Sequence, residues 1–115
     1  MLGSEGEAFA AEFLEAKGYT ILARNFRNGR AEVDIVARID NFIVFVEVKS
    51  RSNLRFGYPE VTITKKKVEL IAQAASYYMF TNQLDLFIRF DVVALQKTAT
   101  GWDCIHAEDA FFPYE

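Results

Sequence analysis

The chain has 115 residues, 51% of them apolar, with 16 acidic and 13 basic side chains and a net charge of −3. That length suits a single domain spanning 1–115 that can bury a core without staples, and the lone cysteine, Cys104, excludes an internal disulfide framework. The longest uncharged apolar run, Phe42 to Val46, is far short of the roughly 18 residues that cross a bilayer, and no charged-then-apolar leader precedes the first helical pattern, so a cytoplasmic protein off the membrane is expected.

The overall acidity argues against a chain that binds nucleic acid by bulk phosphate neutralisation, but the charge is unevenly spread. Ten basic and five acidic residues fall between Arg24 and Lys67, and three basic and eleven acidic lie outside, so the middle carries +5 and the remainder −8. A phosphate-facing middle and an ordinary solvated surface both fit that pattern.

Ser4-Glu5-Gly6-Glu7 has the form of a capping box, and Phe9, Phe13 and Leu14 with intervening alanines give an apolar helical face that stops near Lys17-Gly18. Tyr19 to Arg27 reads as a strand, and Asn28-Gly29 as a turn. Two β-rich runs follow, Ala31 to Ile39 and Phe42 to Arg51, joined at Asp40-Asn41 as a hairpin. After a loop with Gly57 and Pro59, Val68, Ile71, Ala72, Ala75, Tyr78 and Met79 recur at helical spacing and predict a helix from Thr64 to Phe80. Leu86 to Gln96 reads as a strand, and Gly101 turns the chain into a short last strand near Asp103 to His106. The order α-β-β-β-α-β-β predicts an α/β or α+β sandwich, with helices flanking a mixed sheet.

With Asp40 and Asn41 as the turn, opposed residue numbers in the hairpin sum to 81. Asp34 then faces Glu47, and Glu32 faces Lys49. Alternation places these four on one face and Val33, Ile35, Ala37, Val44, Val46 and Val48 on the other, so one face is expected to be apolar and the other ionisable. Opposed carboxylates repel and require a cation. Lys49 is one candidate. Mg²⁺ is another, since it binds through one or two carboxylates and keeps its waters, with Mn²⁺ as a substitute. A metal beside a lysine is equipment for phosphodiester hydrolysis. The plainer reading is a set of solvent-facing charges with a Glu32–Lys49 salt bridge. The apolar character of Val44 to Val48 around Glu47 argues for a central strand, where charge is costly without a function.

Asp34 followed through the hairpin by Glu47-Val48-Lys49 resembles the PD-(D/E)xK motif of restriction-endonuclease-like nucleases. Nearly the whole chain resembles the bacterial YraN-like branch, which is related to archaeal Holliday-junction resolvases. The matching stretches are Gly6-Glu7 with Ala10, Gly18 to Leu22, Arg24-Asn25, Glu32 to Val36, Phe45 to Arg51, and Arg89 to Val93. The resemblance implies the restriction-endonuclease-like fold, with metal held by Asp34, Glu47 and the Val48 carbonyl, and water positioned or activated by Lys49. It also implies that Glu7 reaches the site from the first helix; as the third position of the capping box, Glu7 has a local role open to it as well. Two departures stand out: Ala31 occupies a position usually glycine, and no proline precedes Asp34.

Lys65, Lys66 and Lys67 fall in the first turn of the second helix, where the macrodipole disfavours cations; a passing phosphate backbone would explain them, as would solvation. Arg51 and Arg55 are further candidate phosphate contacts, and Glu32 a supporting residue behind the metal ligands. Gln73 and Tyr77 resemble a Gln-x-x-x-Tyr element of some exonuclease branches, with plain helix surface and core tyrosine as the alternative. Arg89 and Asp91 share a strand face and suit a structural salt bridge, whereas His106 and Cys104 read as packing or surface residues. The apolar tail Ala110 to Tyr114 would dock on its own domain or build a homodimer. The leading expectation is a Mg²⁺-dependent endonuclease of DNA, with branched or junction DNA as a candidate substrate. The alternatives are a nucleic-acid-binding module without efficient catalysis and a protein-interaction module.

Overall fold

In the computed structural model, which describes residues 2–51 and 63–111, the elements are α1 (Leu2–Ala16), β1 (Thr20–Asn28), β2 (Ala31–Ile39), β3 (Phe42–Arg51), α2 (Lys65–Thr81), β4 (Phe87–Lys97) and β5 (Trp102–Ala107). The strands form one sheet in the order β1-β2-β3-β4-β5. Neighbours are antiparallel except β3 and β4, which are parallel. Parallel neighbours need a crossover, and α2 supplies it.

The hairpin turns follow from residues that tolerate a left-handed backbone. Gly29 has φ 62° and Asp40 has φ 51°. β1 runs one residue beyond the sequence expectation, so the first turn is Gly29-Arg30, closed by the Asn28–Ala31 pair. The second is Asp40-Asn41, and the β2–β3 pairs from Ile39–Phe42 to Ile35–Val46 all sum to 81.

Alternation along β3 sends Val44 and Val46 to one face and Ile43 and Phe45 to the other, and both faces are buried. On the first, Ala10, Ala11 and Leu14 of α1 pack against Ile35, Ala37, Val44, Val46, Val93 and Leu95. On the second, Ile71, Ala74, Ala75 and Met79 of α2 cover Val33, Val36, Ile43, Phe45 and Phe90. The expectation of one apolar and one ionisable face is therefore corrected, because each helix brings an apolar stripe that needs a sheet face to bury it. The acidic residues of β2 and β3, Glu32, Asp34 and Glu47, lie toward one end of the pair, with Arg38 exposed at the other.

Val33 also changes sides. It packs beneath α2 while Ile35 and Ala37 pack beneath α1, although all three are odd-numbered. The break in alternation lies at Asp34. Across the β1–β2 ladder, between the Arg24–Ile35 and Phe26–Val33 pairs, Asn25 stands opposite with φ 53°. Both strands bend there together, which carries the hairpin tip with Phe26, Ala31 and Val33 toward α2. β2 thus leaves β3, and their ladder ends at Ile35–Val46. The expected Asp34–Glu47 and Glu32–Lys49 oppositions do not form, because the strands have already diverged.

Two end assignments also change. α1 begins at Leu2, so Ser4 lies within the helix and is not its cap. α2 is capped by Thr64, whose Oγ1 accepts from the Lys67 amide at 3.3 Å. After β5 the chain returns over the sheet: Ala110 N–H donates to the Phe90 carbonyl at 2.7 Å, and Phe111 stacks on Phe90 with centroids 5.1 Å apart. Of the two fates read for the tail, its first residues take the docked one; Phe112 to Glu115 lie outside the described residues, as do Arg55, Gly57 and Pro59.

Candidate metal and phosphate site

The fork between β2 and β3 leaves backbone groups without ladder partners, and a side chain fills the gap. The Val48 amide donates to Asp34 Oδ2 at 2.7 Å. This bond fixes the carboxylate of one strand on the backbone of the other, and it draws on Val48 through its N–H. Beside it, Glu47 is only 5% exposed, and its Oε1 accepts from Lys67 Nζ at 2.5 Å. The cation that answers Glu47 at contact distance thus comes from the first turn of α2. Lys49, two residues along β3, acts on Glu47 through its charge.

Asp34, Glu47, Glu32, Arg30, Lys66 and Lys67 line an open cleft of about 440 Å³ with Ile71 behind them. Two of its carboxylates, Asp34 and Glu47, are shifted upward. Burial raises Asp34 to about 7, and the charges of Glu47 and Glu7 push in the same direction against the Val48 amide and the Lys67 charge. Burial likewise raises Glu47, with the Lys67 hydrogen bond opposing it. A carboxyl poised near neutral pH in a cleft is a feature of functional sites.

Glu7 stands on α1 because that helix comes very close to β3. A Cβ on Gly6 would lie 3.1 Å from Ser50 Oγ and 3.3 Å from Ser50 Cβ, closer than most real Cβ contacts, so a larger residue there would have to push Ser50 aside. Glu7 forms a 3.9 Å ion pair with Arg24 and reaches Asp34 through its charge. Since α1 starts at Leu2, Glu7 does not close a capping box at Ser4. Glu32 pairs with Arg27 at 2.8 Å. Among the described residues no three His, Cys, Asp or Glu side chains form a ready metal cage. The donor set is a pair of hard carboxylates at an open cleft, which fits Mg²⁺ or Mn²⁺ bound mainly through water and does not fit a closed zinc site.

The other candidates are distributed around this point. Lys66 and Lys67 line the cleft, whereas Lys65 is an exposed first-turn residue. Arg51 ends β3 in register with Gln96. Gln73 is exposed and Tyr77 stacks on Phe26 at 6.5 Å; neither lines the cleft. Sequence reasoning missed Asn25, whose tolerance of the left-handed region was the available signal. Arg30, which in sequence suits either a phosphate contact or plain surface, is carried to the cleft by the turn at Gly29.

A second polar cluster lies under the far end of α1. Asp91 is fully buried and accepts from Arg89 at 2.8 and 2.9 Å, from the Asp109 amide at 3.0 Å, and from His106 Nε2 at 2.7 Å. Lys17 donates to His106 Nδ1 at 2.7 Å. An ammonium can only donate, so Nδ1 accepts and the ring proton toward Asp91 sits on Nε2. Burial alone would raise Asp91, but the bonds from His106, Arg89 and the Asp109 amide outweigh it and hold the carboxyl below its usual range. The expected Arg89–Asp91 bridge is present. His106, which looked isolated in sequence, is its third member.

An α/β chain with a five-stranded mixed sheet, a helix on each face, and a buried glutamate beside a half-buried aspartate at a basic-rimmed cleft is the class this geometry defines. The model of the family described as uncharacterised protein family UPF0102 matches residues 6–95, and the chain belongs to that family. It is 42% identical to a UPF0102 protein of Flavobacterium psychrophilum over 113 residues, covering 98% of this chain and 95% of that one. A UPF0102 protein of Phocaeicola vulgatus is 42% identical over 111 residues, covering 96% and 92%. One of Clostridioides difficile is 47% identical over 92 residues, covering 79% and 81%. Among the described residues no helix is long and apolar enough to cross a membrane.

Proposed function

We propose that this chain is a divalent-metal-dependent endonuclease of the restriction-endonuclease-like PD-(D/E)xK type, acting on DNA. The observation that carries the reading is the Asp34–Glu47 pair at the β2–β3 fork, Asp34 half-buried and Glu47 buried, on a cleft rimmed by Arg30, Lys66 and Lys67. Asp34 and Glu47, aided by the Val48 carbonyl and by Glu7, would hold Mg²⁺ or Mn²⁺. A metal bound there supplies Lewis acidity to the phosphoryl group and lowers the pKa of its water. Lys49 shares the Glu47 face of β3, where it would orient the attacking water and steady developing charge. Arg30, Lys66 and Lys67 would take phosphates along the cleft, with Arg51, Arg55 and Lys65 extending the track. Branched or junction DNA is the preferred substrate class, and a two-fold homodimer would match it. The unbridged Cys104 suits a reducing cytoplasm.

One observation favours a second reading, a nucleic-acid-binding module without efficient catalysis: Lys67 already neutralises Glu47, so the pair is tolerated without metal. Calorimetric titration with Mg²⁺ and Mn²⁺, on wild type and Asp34→Asn, separates the two when cleavage of linear, single-stranded and four-way-junction DNA is assayed on the same samples. Metal binding and cleavage that both vanish in the variant uphold the nuclease. DNA binding that ignores metal, without cleavage, upholds the binding module.

A further inference from the structure

The first turn of α2 places three lysines where the helix macrodipole opposes them. Lys67 differs from its neighbours in what it touches. Its backbone amide takes the Thr64 cap, and its side chain crosses the cleft to Glu47 Oε1 at 2.5 Å. The lysine side chain is 48% exposed and the glutamate 6%, so the buried anion is held by a partner that opens to solvent. A buried carboxylate stripped of its cation is costly, which gives Lys67 a reason to stay while nothing better is present. A divalent cation is better, because it brings twice the charge and more coordination positions.

We propose that Lys67 is the built-in counter-ion of the metal-free site, occupying at Glu47 the place a divalent cation takes and giving it up when the cation arrives. The released ammonium rejoins Lys66 and Arg30 at the cleft, so metal loading also turns a carboxylate-bound lysine into a phosphate contact. The site is thereby primed for a polyanion only when loaded. In the empty state its carboxylate repulsion and its occupied lysine both work against phosphate binding.

The inference rests on the metal-dependent reading above, and the test separates the two. The full chain is titrated with Mn²⁺ by calorimetry near pH 8 as wild type, Lys67→Met, Lys67→Gln and Lys66→Met. Removing the competing charge should tighten Mn²⁺ binding about tenfold or more in both Lys67 variants. Lys66→Met removes an equal charge that no contact ties to Glu47, and should stay within about threefold of wild type. Equal affinities across the Lys67 and Lys66 variants, or weaker binding without Lys67, overturn the displacement while leaving the metal site standing. No Mn²⁺ uptake by wild type or any variant overturns both. If the Lys67 variants fail to fold, the ¹⁵N signal of the Lys67 ammonium in wild type decides: a shift on adding Mg²⁺ supports release, and an unchanged signal in a protein that binds Mg²⁺ refutes it.

Discussion

Asp34→Asn should stabilise the metal-free protein above neutral pH and leave it nearly unchanged in mild acid. Asp34 titrates near 7 in the folded chain against an ordinary 3.8, so between those values the folded state holds a proton that the unfolded state has released. Stability therefore falls as pH rises through that window, and the loss is complete above about pH 7. At about 1.4 kcal/mol per pKa unit, the rise from 3.8 to about 7 corresponds to roughly 4 kcal/mol, an upper figure for a group that keeps some contact with water. Asparagine retains an oxygen for the Val48 amide and removes the charge that burial, Glu47 and Glu7 oppose. Urea unfolding in EDTA should show the variant about 2 to 4 kcal/mol more stable at pH 8.5 and within about 1 kcal/mol of wild type at about pH 4. Adding Mg²⁺ at pH 8.5 should restore wild type and do little for the variant, since only a folded-state site gains from ligand. A stability difference that is the same at both pH values would refute the account of Asp34 as a half-buried, repelled carboxylate.

Asp91→Ala removes the acceptor of Arg89, His106 and the Asp109 amide together. It should cost about 3 to 5 kcal/mol, measured by thermal unfolding near neutral pH. Because the carboxyl lies below its usual range, that stability is present above the unfolded pKa and fades as pH falls through the folded one, so the cost should shrink in strong acid. Gly6→Ala would stabilise an ordinary helix by about 0.5 to 1 kcal/mol. Here the new Cβ meets Ser50 at 3.1 Å, so the expected sign is destabilising, with recovery in a Ser50→Gly background. Asn25→Ala should lower stability by about 1 to 2 kcal/mol because alanine resists a left-handed backbone, whereas Asn25→Gly should be close to neutral; urea midpoints separate the two.

What could be read from residue order was whatever depends on near neighbours. The helical spacing of Val68, Ile71, Ala75 and Met79 located α2 to within a residue at either end, and Asp40-Asn41 set the β2–β3 register by the geometry of a two-residue turn. Glu47 was recognisable as a buried charge because an acid within so apolar a strand must be buried and answered by a cation. Its answering cation was less accessible. Lys49 is close in sequence, whereas Lys67 reaches Glu47 only because α2 crosses back over the sheet with its first turn at the fork.

Strand alternation carried the face assignments correctly up to Ile35 and failed at Val33, because it assumes an unbroken pleat. Asn25 and Asp34 break that pleat together across the ladder, a pairing visible only once β1 lies beside β2. His106 looked solitary for the same reason: Asp91 and Lys17 reach it through strand pairing and the end of α1, across separations of up to 89 residues. The sequence by itself determined the elements, the local turns and the identity of the acidic pair, because backbone preference and hydrophobic period act over a few residues. Tertiary structure decided which charges meet and where β2 parts from β3, because contacts across a sheet depend on the path of the whole chain.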